Sequence, residues 1–430
     1  MDCFERTRMM QKGGETMRRG TGAQRWTWMA ALAATAVGSI LLAACGGSDD
    51  PNDKSGSGTK AGAAATLPPT TAEQIQKILD SRQTNNGEAL RTASLKLRDR
   101  LPDLSEIKQV DTTDAAAGKT AYEALIDAML ESPDFSQTMI SFWQNTFRTA
   151  QVGDIQANVD KDAAANFAAQ VTTEGRSYTE LFTTADNTCP TFDATSGKFT
   201  PAACATAMGG MAVKAAGLLN DQGLMSQYFS NMGFRRVRFI QETFACQKFP
   251  AELAAQGVAM GNGSYTGVEP FNSITGKDNK PDAKINFQDT SSTICANCHS
   301  TINHIAPLFT NFDDTGALMG SSQVQVPIPG TPFSTPIDYL PAGESLAWRT
   351  GKPVTDMAGL GAAMAADGDI ARCAVNRVWN YAMSRGDIVN DVAAVPNATT
   401  QTYVDQFTSG GMKLKETIRA VFKSEDFTKF

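Results

Sequence analysis

The feature that most constrains this chain is the pentapeptide Cys295-Ala296-Asn297-Cys298-His299. Cysteines three positions apart lie on one face of a helical turn. Two thiols and the neighbouring imidazole therefore converge on one spot. This is the spacing by which two cysteines bond the vinyl groups of one porphyrin while the adjacent histidine takes its iron. A chain built this way has to wrap a flat, covalently held cofactor. The expectation is one haem c on Cys295, Cys298 and His299, with His299 as the proximal metal ligand.

Other readings of the same residues fare worse. A structural zinc site needs four ligands. The chain has only two histidines, His299 and His304, so a Cys2His2 set would be crammed into ten residues. A thioredoxin-like dithiol expects a strand before it and a helix after it. The preceding segment, Lys280 to Thr293, is polar and carries Pro281. A chance occurrence is weighed against the exported context, which the start of the chain supplies.

Arg18, Arg19 and Arg25 form a basic region, Trp28 to Leu42 an apolar one, and Leu42-Ala43-Ala44-Cys45 closes it with small residues before a cysteine. This resembles the lipobox of bacterial lipoproteins. The resemblance implies cleavage before Cys45 and lipidation of its sulfur, which anchors a protein to a membrane without spanning it. An uncleaved transmembrane anchor fits less well, because the apolar run is short and rich in alanine. Gly46 rather than Asp follows the cysteine, which by the same resemblance favours the outer membrane. A Gly/Ser/Ala stretch to about Ala65 reads as a flexible tether.

The expected organisation is therefore a signal peptide over 1–44, a tether over 45–69, an N-terminal helical region over 70–204 and a C-terminal haem region over 205–430. Without the leader's six basic and three acidic residues, 32 Lys+Arg face 42 Asp+Glu, a formal charge of −10. That excludes nucleic acid as an expected partner. It suits a solvated acidic surface, and is compatible with a basic redox partner.

The eight cysteines divide further. Cys3 belongs to the leader, Cys45 to the lipid, and Cys295 and Cys298 to the haem. Cys189, Cys204, Cys246 and Cys373 remain, and an even remainder in an oxidising compartment suggests two disulfides. Cys189 and Cys204 bracket a Pro-, Gly- and Ser-containing loop and are the local pair. Cys246 with Cys373 would be the other, unless these two are buried free thiols.

The hydrophobic pattern is mainly helical. Thr70-Thr71-Ala72-Glu73 opens a helix with a threonine cap. Tyr122, Leu125, Ile126 and Met129 recur at helical spacing in Ala121 to Leu130. Ser132-Pro133 then punctuates the pattern before Phe135 to Phe147 resumes it. Trp143 and Phe147, one turn apart, read as core. The polar stretch Gln151 to Asp162 interrupts the helices. Further helices are expected at Ala207 to Leu219, Phe234 to Cys246, Met357 to Ala365, Asp369 to Met383 and Leu414 to Phe422. Arg235, Arg236 and Arg238 would form ordinary surface salt bridges or meet haem propionates. Met260 to Pro281 reads as a long loop, and Ala306 to Phe309 as a helix that ends in a turn over Asn311 to Gly316. Val324, Val326, Ile328, Ile337 and Tyr339 alternate as in a small β-hairpin or flap. The fold class expected is thus mainly α, with a cytochrome c-like C-terminal region bearing a small β flap.

Taken in order, several segments resemble the planctomycete-type cytochrome c proteins, an exported bacterial family. They are Met129 to Phe135 with Phe142-Trp143, Gly217-Leu218-Leu219, Arg236 to Cys246, Asn311-Phe312-Asp313 with Gly316, Cys373 to Ala382, and Leu414 to Phe427. Two departures stand out. Asn303-His304-Ile305-Ala306 replaces an Asp-Pro-Ile-Gly, and Ser384-Arg385 replaces a Gly-Arg. The resemblance implies an exported haem protein and supplies no substrate.

The second axial ligand separates the functions. His304 lies on the proximal side, too close along the chain to His299 to round the porphyrin edge. Met357, 58 residues after His299 and at a helix start, fits the position of a distal methionine; Met364 and then Met319 follow it. All three equally fit core packing. A His/Met iron favours one-electron transfer with a larger redox partner. An open distal face would instead allow peroxide or oxygen chemistry, and a non-redox scaffold or binding lipoprotein with structural haem is the third possibility.

Overall fold

The computed structural model describes residues 72–149, 160–204, 216–230, 232–247, 259–260, 263–264, 302–320, 345–349, 352–387 and 394–430. All belong to the compact unit Thr70–Phe430. Among them are fourteen α-helices, two short 3-10 helices and three two-stranded antiparallel sheets. The protein is mainly α, as its periodicity predicts.

The first half is a bundle whose helix ends are written locally. Helix α1 (Ala72–Ser81) precedes α2 (Asn86–Arg98), whose cap Asn85 accepts from Glu88 N at 3.0 Å. α3 (Leu104–Val110) starts with a reciprocal capping box between Asp103 and Glu106. α4 (Ala115–Leu130) is capped by Asp114, and α5 (Pro133–Phe147) by Ser132, with Pro133 in its first turn. Arg148 then takes a left-handed φ of 58° and ends it. Tyr122, Leu125, Ile126 and Met129 are buried, as their spacing requires, and so are Trp143 and Phe147.

Helix α6 (Ala163–Thr173) differs in kind. Ala163 to Ala165, Phe167 to Thr172 are all buried, so it has almost no solvent face. Its alanines let α5 approach closely, and Trp143 Nε1 donates to Thr172 Oγ1 at 3.0 Å. Helix α7 (Glu180–Thr183) leads to the Cys189–Cys204 loop, which holds a hairpin, β1 (Thr191–Asp193) with β2 (Lys198–Thr200), paired Phe192 to Phe199. Sequence reading saw only a loop here, because three-residue strands carry too short an alternation.

The helix expected over Ala207 to Leu219 is corrected where it is described. Gly217–Asn220 is a 3-10 turn, and Gly217 sits at φ 51° with a Cβ position 2.2 Å from Leu181 O. That backbone cannot continue a right-handed helix. α8 (Gln222–Gln227) and α9 (Phe234–Phe244) follow. Two-residue strands β3 (Ala259–Met260) and β4 (Gly263–Ser264) pair within the stretch expected as a long loop. The flap expected from Val324 to Tyr339, and the polar stretch from Gln151 to Val159, lie outside the described residues.

The second 3-10 helix, Ala306–Phe309, is followed by β5 (Ala347–Trp348) and β6 (Lys352–Pro353). Helices α10 (Met357–Ala365), α11 (Gly368–Ala382), α12 (Asn397–Ser409), α13 (Leu414–Phe422) and α14 (Glu425–Thr428) complete the chain. The last helices return to the first. Tyr122 donates to Phe422 O at 2.6 Å, Arg419 and Lys423 reach Asp127, and Phe430 and Gln83 exchange main-chain bonds of 3.0 and 3.1 Å. One buried cluster runs from Ala89 to Phe427. Helices from both expected regions thus share a core.

Candidate functional site

Cys295, Cys298 and His299 lie outside the described residues, as does Cys45. The protein is described again from Ile302, three residues past His299, as a run of hydrogen-bonded turns. Main-chain bonds link Ile305 N to Ile302 O, Leu308 N to Ile305 O, Thr310 N to Pro307 O and Phe312 N to Phe309 O. Ile302, Ile305, Ala306, Phe309 and Phe312 are buried along it. His304 is partly buried, and its carbonyl accepts from Ala347 N at 3.1 Å, which ties the run to β5.

The turn beyond is explained residue by residue. Asp313 Oδ1 accepts from Thr315 N (2.9 Å), Thr315 Oγ1 (2.7 Å) and Ala317 N (2.9 Å). Gly316 has φ 76°, and a Cβ there would lie 2.1 Å from Gln222 O, so α8 packs directly on its backbone. Ser226 Oγ and Gln222 Nε2 donate to the carbonyls of Asp314 and Thr315.

Helix α9 holds the same run from the other side. Gly233, at its start, would place a Cβ 2.9 Å from Ala306 O. Arg236 is fully buried and gives its guanidinium to the carbonyls of Met225, Phe309, Phe312 and Asp313. Burial lowers its pKa to about 10. All its donors are spent on the chain, so the propionate role considered for Arg236 is closed. Arg238 is exposed and pairs with the buried Glu242 at 2.7 Å, a bridge half in and half out of the surface; Arg235 donates to Phe229 O. The stripe Arg236, Ile240, Phe244 follows helical spacing and is the signal that marks Arg236 as interior.

Sequence reasoning gave Gln241 no attention. It is fully buried on α9, and among the described residues neither its amide oxygen nor its nitrogen has a hydrogen-bond partner. A buried amide left unpaired is costly. Asp221, capping α8 through Leu224 N at 2.8 Å, is also buried; burial first and the charge of Asp160 second push its carboxyl up to about 7.

The candidate distal methionines are placed as follows. Met357 begins α10, 9 % exposed, and joins the core; Met364 is wholly buried; Met319 is 38 % exposed. Asp356 caps α10 through Gly359 N at 2.8 Å, and this helix packs on β5, which is bonded to His304 O. Met357 and Met364 thus sit one element removed from the run that follows the motif. Among the described residues no group of three or more His, Cys, Asp or Glu is arranged to hold a metal.

Both expected disulfides are formed. Cys189–Cys204 closes the hairpin loop, with Cα atoms 4.8 Å apart; Cys246–Cys373 joins the end of α9 to α11 over 127 residues, at 5.4 Å. Arg377 Nη1 reinforces that second joint by donating to Thr243 O at 2.7 Å. Among the described residues every cysteine is therefore engaged in a disulfide. By residue type and spacing, Cys295, Cys298 and His299 are a donor set that fits haem c.

A family model described as PSCyt2, protein of unknown function (DUF1549), matches residues 71–183, from the residue before α1 to the end of α7. This agrees, for that part of the chain, with the planctomycete cytochrome-type resemblance. No curated protein and no solved structure matches the chain. Among the described residues no helix is long and apolar enough to cross a membrane.

Proposed function

We propose that this chain is an exported, lipid-anchored c-type cytochrome with a single haem, passing one electron at a time to or from a larger redox partner. The observation that carries the reading is the cysteine distribution. Cys189, Cys204, Cys246 and Cys373 are consumed in two disulfides, as suits an oxidising compartment, and Cys295 and Cys298 are the pair whose Cys-x-x-Cys-His spacing the sequence assigns to haem. Cys295 and Cys298 would hold the haem, His299 would ligate its iron, and Met357 is the first candidate for the opposite face. A bound haem supplies reversible one-electron chemistry at a potential set by that second ligand.

The rest of the reading follows from the ends. Cys45 would carry the lipid, on the periplasmic side or at the outer membrane, and the stretch after it would hold the helical body off the surface. A net negative body suits a partner with a basic contact face.

The test is to express the full chain with c-type haem maturation, measure its intact mass, and record oxidised and reduced spectra with and without carbon monoxide. Covalent haem with a low-spin reduced spectrum indifferent to carbon monoxide supports the electron carrier. A mass without haem overturns the reading, and ready carbon monoxide binding replaces the carrier with a haem enzyme open on its distal face.

A further inference from the structure

A cleft of about 630 Å³ opens where the last helices meet the first. Its volume falls within the range of small-molecule sites, about 300–1,000 Å³. One wall is the start of α2 with its cap, Asn85 to Gly87. A second joins the end of α3 to the first turns of α4, between Ile107 and Glu123, and the third holds Lys423, Glu425 and Thr428. These walls are fastened to one another. Asn85 N donates to Thr428 O at 2.9 Å, Thr84 bridges to Lys429, and Tyr122, whose ring borders the cleft, donates to Phe422 O. The cleft is therefore preorganised, and a ligand would not have to order it.

Its charges are nearly balanced, with two ammonium groups against three carboxylates. Lys119 pairs with Glu123 at 3.8 Å, and its charge also acts on Glu425, which is bonded to Lys429. Lys423 is bonded to Asp127 at 2.7 Å. A cationic ligand would have to displace Lys119 from its carboxylates, and an anionic one would meet Asp111, Glu123 and Glu425. Neither is favoured.

Neutral hydrogen-bonding groups complete the lining. Asn85 spends its amide oxygen on Glu88 N and keeps its NH2 to donate; Thr112 accepts from Asp114 N and keeps its hydroxyl proton. The amide oxygen of Asn86 has no hydrogen-bond partner among the described residues. Apolar surface lies beside them. Ile107 is 40 % exposed at the cleft, Leu104 one turn earlier on α3 is 67 % exposed, and Ala115 and Ala116 are exposed at the start of α4.

Donors, acceptors and apolar patches thus alternate over a surface of almost no net charge. That is the complement of a polyhydroxylated ring, whose hydroxyls both give and accept while its C–H faces are apolar. We propose that this cleft binds a neutral oligosaccharide: Glu123 and Glu425 accept from sugar hydroxyls, Lys119 and Asn85 donate to sugar oxygens, and Ile107 covers a ring face. Bonds to the charged groups are the stronger ones and set the orientation of the ring. The inference goes beyond electron transfer and does not depend on haem.

The experiment applies saturation-transfer NMR to the full chain. The probes are neutral di- and trisaccharides of glucose, galactose, mannose and xylose, with glucuronic acid and glucosamine oligomers as charged comparators. Titration should show saturable binding of a neutral sugar. Ala116→Trp fills the cleft from an exposed position of α4 and should abolish it, while Thr113→Trp, exposed and outside the lining, should leave it unchanged. Glu123→Gln keeps the size and loses the charged acceptor, and should weaken binding about tenfold. Circular dichroism confirms the fold of each variant. Should Ala116→Trp fail to fold, Glu123→Gln carries the test alone. Binding of no neutral sugar, binding of the charged comparators only, or full binding in the folded variants would overturn the proposal. None of these results bears on whether the chain carries haem.

Discussion

Removing the two disulfides one at a time tests how the fold is held. The perturbations are the paired substitutions Cys189→Ala with Cys204→Ala, and Cys246→Ala with Cys373→Ala. The bridges close loops of 15 and 127 residues. In the chain-entropy picture the short loop contributes about 3 kcal/mol and the long one about 5 kcal/mol. The difference, about 2 kcal/mol, follows from the ratio of the loop lengths alone. Burial adds in the same direction, since Cys373 is in the core while Cys189 and Cys204 lie in a hairpin loop near the surface. Guanidinium unfolding of both variants beside the unchanged protein, under non-reducing conditions, gives the two losses. The long-range pair should cost more, and its loss should also slow refolding, because α9 and α11 must then find each other unaided. Equal losses, or a larger loss from the hairpin pair, would refute the entropic reasoning and place the stabilisation in local contacts of the 189–204 loop.

Two further outcomes can be measured on the same protein. In protein without haem, Gln241→Leu should raise the unfolding free energy by about 1–3 kcal/mol, because it removes a buried amide that has no hydrogen-bond partner among the described residues; a loss of stability on denaturant unfolding would show that the amide is paired after all. Asp221 titrates near 7 in the folded chain and near 4 when unfolded, so between those values the folded form holds a proton that the unfolded form has lost. Stability from this group is complete below about pH 4 and falls as pH rises to about 7. Asp221→Asn, which keeps the oxygen that accepts from Leu224 N, should flatten that slope in melts taken across the range; an unchanged slope would assign it to other groups.

The legibility of this chain follows from the physics of its parts. α4 and α5 were readable because each presents one apolar stripe with a Ser-Pro stop between them. The disulfides were readable because setting aside Cys3, Cys45 and the Cys295–Cys298 motif leaves four cysteines and few pairings. α6 was not, since a helix buried on nearly every side and made largely of alanine has no polar face to reveal its period. The hairpin at Thr191 was too short to alternate, and the turn at Gly217 depends on how close Leu181 O comes, a tertiary fact. At the candidate site the motif itself is plain in the sequence. The surroundings of the run after it are less plain: an arginine in a helix reads as a solvated charge, the stripe Arg236, Ile240, Phe244 hints that this one is interior, and the geometry supplies its four carbonyl partners.

The stitching of the last helices to the first sets a schedule for folding. Tyr122 waits for Phe422, and Asn85 N for Thr428 O, partners hundreds of positions later in the chain. Until α13 and α14 arrive, the apolar sides of α2 and α4 that they cover stay bare. A chain still being synthesised would carry that exposed oily surface until its last helices are made. Its demand on chaperones should therefore be set by the time that elapses before α13 and α14 are available, and should ease when they dock.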